Sequence, residues 1–296
     1  MAESALYSAL PQLNGYRKIR IGLDHIRTFP PFGVMMNGEV FQGQDKEYYL
    51  AADSVYFDKR ETLILEDGTE LVRESFSEGV HPFVECEEGE VESIVISTDP
   101  ANYESHEDIS EINEIIAKES GLEFGKQLIG RKSELPDPET IIIITKNLAI
   151  AFGIVKSKIP EKIGEAIGDD LAKFYKLISS LAIETIKKAK PANRPKNFVI
   201  TFPNPDCIIQ MVITTHKHDN VLNALTKYKL DTIENKIEQL KALQPEKIQF
   251  IYNNNDDNWE FNYLLSIDGS VIGTLKAFNN RNLLYNQILK SQEEKK

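Results

Sequence analysis

The sequence predicts an α+β fold: a β-rich N-terminal domain, built as an antiparallel sheet or small barrel, followed by an α+β sandwich of mostly antiparallel strands with two long helices. Three observations carry this expectation. Short β-branched and aromatic runs separated by Gly, Pro and Asp-Gly punctuation fill residues 17–98. Apolar residues at helical spacing run from Glu161 to Lys190 and again from Lys217 to Leu243. Three more strand-like runs with polar turns follow them.

The elements follow in chain order. Ile19, Ile21 and Leu23 alternate loosely before TFPPFG, whose two prolines forbid continued regular structure. KEYYLAADSVYF has strand composition. ETLILEDGTELV is the clearest hairpin, with Asp67-Gly68 as its two-residue turn. HPFVECEEGEVESIVIST repeats the pattern, with Glu88-Gly89 as turn and Val91 to Ile96 as strand. Over 107–120, Ile109, Ile112, Ile115 and Ile116 share a helical face, Ser110 and Asn113 form a weak cap, and Gly121 stops the helix. The Gly- and Pro-punctuated residues from Gly121 onward read as a connecting segment.

TIIIIT, residues 140–145, lacks alternation and suits a strand buried on both faces, with Asn147 to Val155 extending it after a bend. Pro160 opens the longest helix, which carries acids early and Lys187, Lys188 and Lys190 late, and Pro191 ends it. NFVITF and CIIQMVITT are strands, the second long helix runs to Pro245, and KIQFIYN, WEFNYLLSI and SVIGTLKAF are strands. Asn280 to Lys290 closes with a helix. SELPDPE marks the expected domain seam, giving an acidic β-rich domain over 1–135, a sandwich domain over 140–290 and a disordered tail over 291–296.

Composition narrows the class. A hydrophobic share of 41% excludes a disordered chain, and two cysteines, Cys86 and Cys207, are too few for a disulfide scaffold. Residues 1–16 lack the basic start and apolar core of a signal peptide, and no apolar run reaches membrane length, so a cytoplasmic location is expected. Residues 1–140 hold 29 acidic and 12 basic side chains, whereas residues 141–296 hold 17 acidic and 22 basic. An acidic first half repels nucleic acid and anionic lipid, leaving the second half as the only place for a polyanion.

The sharpest chemical constellation is His216-Lys217-His218-Asp219, directly after CIIQMVITT. Two imidazoles at i and i+2 on extended chain point the same way, and a neighbouring carboxylate completes a zinc or manganese site with His216, His218 and Asp219 as ligands or Asp219 as catalytic base. The fuller H-x-H-x-D-H pattern of metallo-β-lactamases is not matched, since Asn220 and Val221 stand at its last positions. A polar strand-to-helix turn, capped by Thr215 or Asp219, accounts for the same residues.

Four weaker candidates remain. Glu85, Glu87, Glu88, Glu90 and Glu92 cluster, but alternation scatters them over both faces of a hairpin. Asp256 and Asp257 sit in a polar turn that would suit calcium or simply water. Lys187, Lys188, Lys190, Arg194 and Lys196 form a basic stretch for a phosphate, a partner's acidic surface or this chain's own acidic half, without interleaved aromatics. Arg20 and His25 have the bare spacing of one RNase motif, in a stretch that reads β.

No P-loop, dinucleotide fingerprint, G-x-S-x-G elbow or paired-cysteine zinc motif is present. The leading expectation is therefore a non-catalytic protein-interaction or regulatory subunit of a cytoplasmic assembly, binding a protein partner or itself, with no cofactor and no identifiable small ligand. Two alternatives are a metal-dependent hydrolase acting on phosphodiesters through the His-x-His-Asp site, and a nucleic-acid-binding accessory protein, which the net charge of −12 disfavours.

Overall fold

A computed structural model describes residues 3–23, 26–86, 91–129, 138–154, 161–203 and 206–293. The described helices are α1 (Glu3–Asn14), α2 (His106–Ser120), α3 (Lys146–Ala151), α4 (Glu161–Lys188), α5 (His218–Ala224), α6 (Lys227–Leu240) and α7 (Leu275–Glu293). The strands are β1 (Ile19–Ile21), β2 (Gly33–Gln42), β3 (Tyr48–Tyr56), β4 (Lys59–Ile64), β5 (Glu70–Ser75), β6 (Ile94–Thr98) and β7 (Phe124–Leu128). The remaining strands are β8 (Glu139–Ile143), β9 (Lys196–Phe202), β10 (Ile208–Thr215), β11 (Pro245–Asn253), β12 (Asn258–Ser266) and β13 (Val271–Gly273). One sheet has the order β1-β2-β3, and the other β4-β5-β13-β12-β11-β10-β9-β8-β6-β7. The fold is α+β, a small antiparallel sheet and a large, mostly antiparallel one with several helices. Among the described residues no helix is long and apolar enough to cross a membrane.

The chain divides into two units that interleave in sequence. The first comprises Met1–Glu88, Leu243–Lys247 and Asn262–Lys296, and the second Gly89–Ala242 and Ile248–Phe261.

In the first unit, β4 and β5 form the expected hairpin, but its loop has three residues rather than two. Leu65 N donates to Thr69 O at 2.9 Å, which leaves Glu66, Asp67 and Gly68 between them, and Gly68 takes the positive φ of 81° that such a loop requires. β5 pairs antiparallel with β13, and β13 with β12. Val34, Val72, Phe83, Tyr263, Leu265, Val271 and Phe278 make the core. α1, which the sequence reading leaves without structure, packs on β2 and β3. β2 bulges between Met36 and Glu39. Asn14, at the end of α1, holds the bulge: its amide donates to Gly38 O at 2.9 Å and accepts from Gly38 N at 2.7 Å.

In the second unit, β8 is parallel to β9 and antiparallel to β6, and four of its five residues, Glu139 to Ile142, are buried. This is the strand environment that TIIIIT implies. Ile109, Ile112 and Ile116 of α2 are buried, and α2 packs against α4. Ser105, rather than Ser110, caps α2 by accepting from Asp108 N, and Gly121 ends it in left-handed conformation.

Four element expectations differ from the structure. SVIGTLKAF is a strand only over Val271–Gly273, and its last residues, from Leu275, begin α7 instead of a helix opening at Asn280. Residues 146–151 form a helix, not a strand extension, because the Thr145 hydroxyl caps Leu148 N and Leu148, Ala149 and Phe152 pack at helical spacing. Phe124–Leu128, read as connection, is a strand parallel to β6. The single helix expected from Lys217 to Leu243 breaks into α5 and α6 at Leu225-Thr226. The carbonyls freed at the break are taken from outside: Trp259 Nε1 donates to Ala224 O at 2.8 Å and Tyr175 OH to Leu225 O at 2.8 Å. The Glu88-Gly89 turn and most of SELPDPE lie outside the described residues.

Candidate functional site

The His-x-His segment occupies the entry to α5. β10 ends at Thr215, His216 lies in a bend, Lys217 is the N-cap and His218 is already helical. The extended i, i+2 geometry that would aim both imidazoles alike is therefore not formed. His216, His218 and Asp219 are all exposed, and His218 Nε2 stands 3.1 Å from Asp219 Oδ1. Thr215 organises the turn, its hydroxyl accepting from Lys217 N at 2.9 Å and from Asn220 Nδ2 at 3.1 Å. Asp219 does not cap the helix; it lies in the first turn, where the helix dipole favours an acid. Among the described residues, no group of three or more His, Cys, Asp or Glu is placed to hold a metal ion.

The acidic turn Asn253 to Asn258 comes to the same end of the second unit. Asn254 Oδ1 accepts from Asn220 Nδ2 at 2.9 Å, and Asn254 Nδ2 donates to Thr214 O at 2.8 Å. Asp257 accepts from Lys229 Nζ at 2.7 Å, from Asn223 Nδ2 at 2.7 Å and from Tyr252 OH. Lys229 Nζ also donates to Tyr252 OH at 2.6 Å. Burial works against the ammonium, yet the bonds to Asp257 and Tyr252 outweigh it and raise its pKa. The same partners lower Asp257. Asp256 accepts from Asn253 Nδ2 at 2.7 Å. These acids are thus bound by protein donors that lock the turn onto α5 and α6.

The basic stretch is engaged largely within the second unit. Lys188 pairs with Glu111 and, at 3.6 Å, with Asp108. Lys190 pairs with Glu104, and Lys187 lies 3.5 Å from Glu184. Lys196 is buried, donating to the carbonyls of Lys190 at 3.3 Å and Pro191 at 3.4 Å, and burial with the nearby Arg194 charge lowers its pKa. Most acids that answer these lysines belong to α2 and the loop before it, the acidic half of the sequence.

Of the clustered glutamates, Glu87, Glu88 and Glu90 lie outside the described residues, as does His25. Glu85 is part of a largely buried ionic group in the first unit. Its carboxylate is 3.5 Å from Lys247 Nζ and 3.7 Å from Arg20 Nε. Burial favours the neutral acid, but Arg20, Lys247 and Arg27 prevail and hold its pKa at about 2. Arg20 also donates to Tyr263 OH at 3.2 Å, and Tyr263 OH donates to Arg27 O at 2.7 Å. These contacts are all among the protein's own groups, which makes this a structural centre. Both cysteines are free thiols, and burial pushes Cys207 up to about 12.

The surface that stands out was not legible from motifs. β3 ends its sheet, and among the described residues no strand lies beyond it. Gly43 N donates to Glu47 O and Phe57 N to Phe32 O, just outside the two ends of the β2–β3 register. Antiparallel pairs alternate in hydrogen bonding. Tyr49, Ala51, Asp53 and Val55 therefore turn their backbone groups toward β2, while Leu50, Ala52, Ser54 and Tyr56 turn theirs outward. Tyr49, Leu50 and Tyr56 are 44%, 36% and 58% exposed. Tyr49 stacks on Phe41 at 5.7 Å.

Natural sheets guard long edges with charge, bulges or brevity. The other three end strands comply: β1 has three residues and an arginine, β4 begins Lys59-Arg60-Glu61, and β7 carries Lys126. β3 has nine residues, no proline, no bulge of its own and one charge, Asp53, held back by Asn37 Nδ2 at 2.9 Å.

Compared with known proteins, the chain matches no family profile, no curated protein and no solved structure.

Proposed function

We propose that this chain is a protein-interaction subunit that engages its partner by strand addition along β3. The observation that carries the reading is the outward backbone row of Leu50, Ala52, Ser54 and Tyr56 on a nine-residue end strand whose single charge, Asp53, is bonded to Asn37. An added strand satisfies such a row with main-chain hydrogen bonds, while exposed Tyr49 and Tyr56 supply side-chain contact. The bulge and its Asn14 clasp hold the hairpin in shape before any partner arrives, which lowers the ordering cost of binding.

Amide hydrogen exchange tests the reading. Complexes isolated from the native source under gentle conditions are compared with the purified chain at high dilution. Slower exchange over Tyr48–Tyr56 in the complexes is the expected result. Equal exchange there, with protection elsewhere on the chain, overturns it.

A further inference from the structure

We infer that the occupant of the β3 edge is a second copy of this chain, paired antiparallel about a two-fold axis at Ala52; this rests on the strand-addition reading above. A two-fold pairing of identical strands places residues equidistant from the axis opposite one another. About Ala52, the residues presented in hydrogen-bonding register are those with outward backbone groups: Ala52 faces its own copy, and Leu50 faces Ser54 of the second chain. An axis midway between two residues would set outward groups against inward-turned ones. Of the axes that satisfy the outward row, one at Asp53 would set Asp53 against its own copy and one at Ala51 would set Glu47 against Val55, so the side chains select Ala52.

The side chains agree with that register. Asp53, the one charge of the strand, faces Ala51, so no like charges meet. Tyr49 faces Val55, an aromatic against a β-branched residue, the kind of cross-strand pair that stabilises sheets. The residues at the axis, Ala51 and Ala52, are small, so the two backbones meet without obstruction. Such pairing joins two three-stranded sheets into one of six and removes the open edge from both.

Sedimentation of the purified chain from about 1 to 100 µM, the range of a modest interface, tests the inference through three variants. Leu50→Lys/Ser54→Lys puts lysine opposite lysine at both symmetric positions and is expected to weaken the dimer by at least about tenfold. Leu50→Lys/Ser54→Glu puts lysine opposite glutamate and is expected to stay within about threefold of wild type. Ala52→Pro removes an N–H that β2 does not use, so the hairpin persists while the junction is lost. Thermal melting of each variant confirms folding.

A wild-type chain that stays monomeric throughout overturns the second copy as occupant. If Tyr48–Tyr56 is nonetheless protected in native complexes, strand addition stands with a different chain. A dimer that all three variants leave intact, or one that the Lys/Glu pair disrupts as much as the Lys/Lys pair, also overturns the inference.

Discussion

Lys247 Nζ lies 3.5 Å from the Glu85 carboxylate, with the lysine only 1% exposed. Removing one partner of such a pair deprives the other buried charge of its counterion. Glu85→Gln is expected to cost about 3–5 kcal/mol at neutral pH, measured by denaturant unfolding. A loss below about 1 kcal/mol would show that Lys247 relaxes to water instead.

The same carboxylate sets an acid limit. Its folded pKa, about 2, lies below its ordinary value of 4.5. The stabilisation is therefore present above 4.5 and drains away as pH falls toward 2. Melting temperature is expected to drop more steeply across that window in wild type than in Glu85→Gln. Parallel curves would remove Glu85 from the account.

Lys229→Met is expected to cost about 2 kcal/mol, since it removes two hydrogen bonds from a charged donor and leaves Tyr252 and Asp257 to each other. Lys229 has a raised pKa, so its contribution is complete below 10.5 and lost only as pH rises through the higher folded value. Urea unfolding at pH 6 and pH 9 should give the same difference. A cost that shrinks by pH 9 would mean that the ammonium is not held as described.

Asn14→Ala removes both bonds to the Gly38 bulge and is expected to cost about 1–2 kcal/mol. Hydrogen exchange should quicken over Asn37–Gln42 first. Unchanged exchange there would show that the hairpin holds its shape without α1.

His216→Ala/His218→Ala should shift stability by no more than about 0.5 kcal/mol, because both rings are exposed in the α5 entry. Elemental analysis of untagged protein beside this variant checks the chemistry as well. Stoichiometric zinc or manganese lost with the two rings would restore the metal reading.

What the sequence revealed was local, and what it concealed was distant. The Gly68 turn, the Gly121 stop and the end of α4 just before Pro191 are written in adjacent residues. So is the α+β pattern, since periods of two and near four show within a dozen residues. The α5–α6 break is not, because Tyr175 and Trp259, which hold it, lie 50 and 35 residues away. α3 is too short for periodicity to separate helix from strand. α1 buries little more than Leu6 and Leu13 and shows no strong apolar face. The candidate surface was hidden for a related reason: KEYYLAADSVYF declares a strand, but only sheet order reveals that β3 is an end. The local geometry of His-x-His was hidden as well, since extended chain gives way to a bend at His216.

The interleaving of the first unit has a consequence for how the chain is made. Glu74 of β5 awaits Arg281 and the β13 strand, 207 and nearly as many residues later. At about 5–20 residues per second, a ribosome needs roughly ten to forty seconds to cover that stretch. Until then the first eighty-odd residues emerge as an unfinished half with the inner edge of β5 bare. A chaperone that shields nascent β-strands has its longest opportunity there, and a message truncated before Val271 yields a product whose first unit cannot be closed.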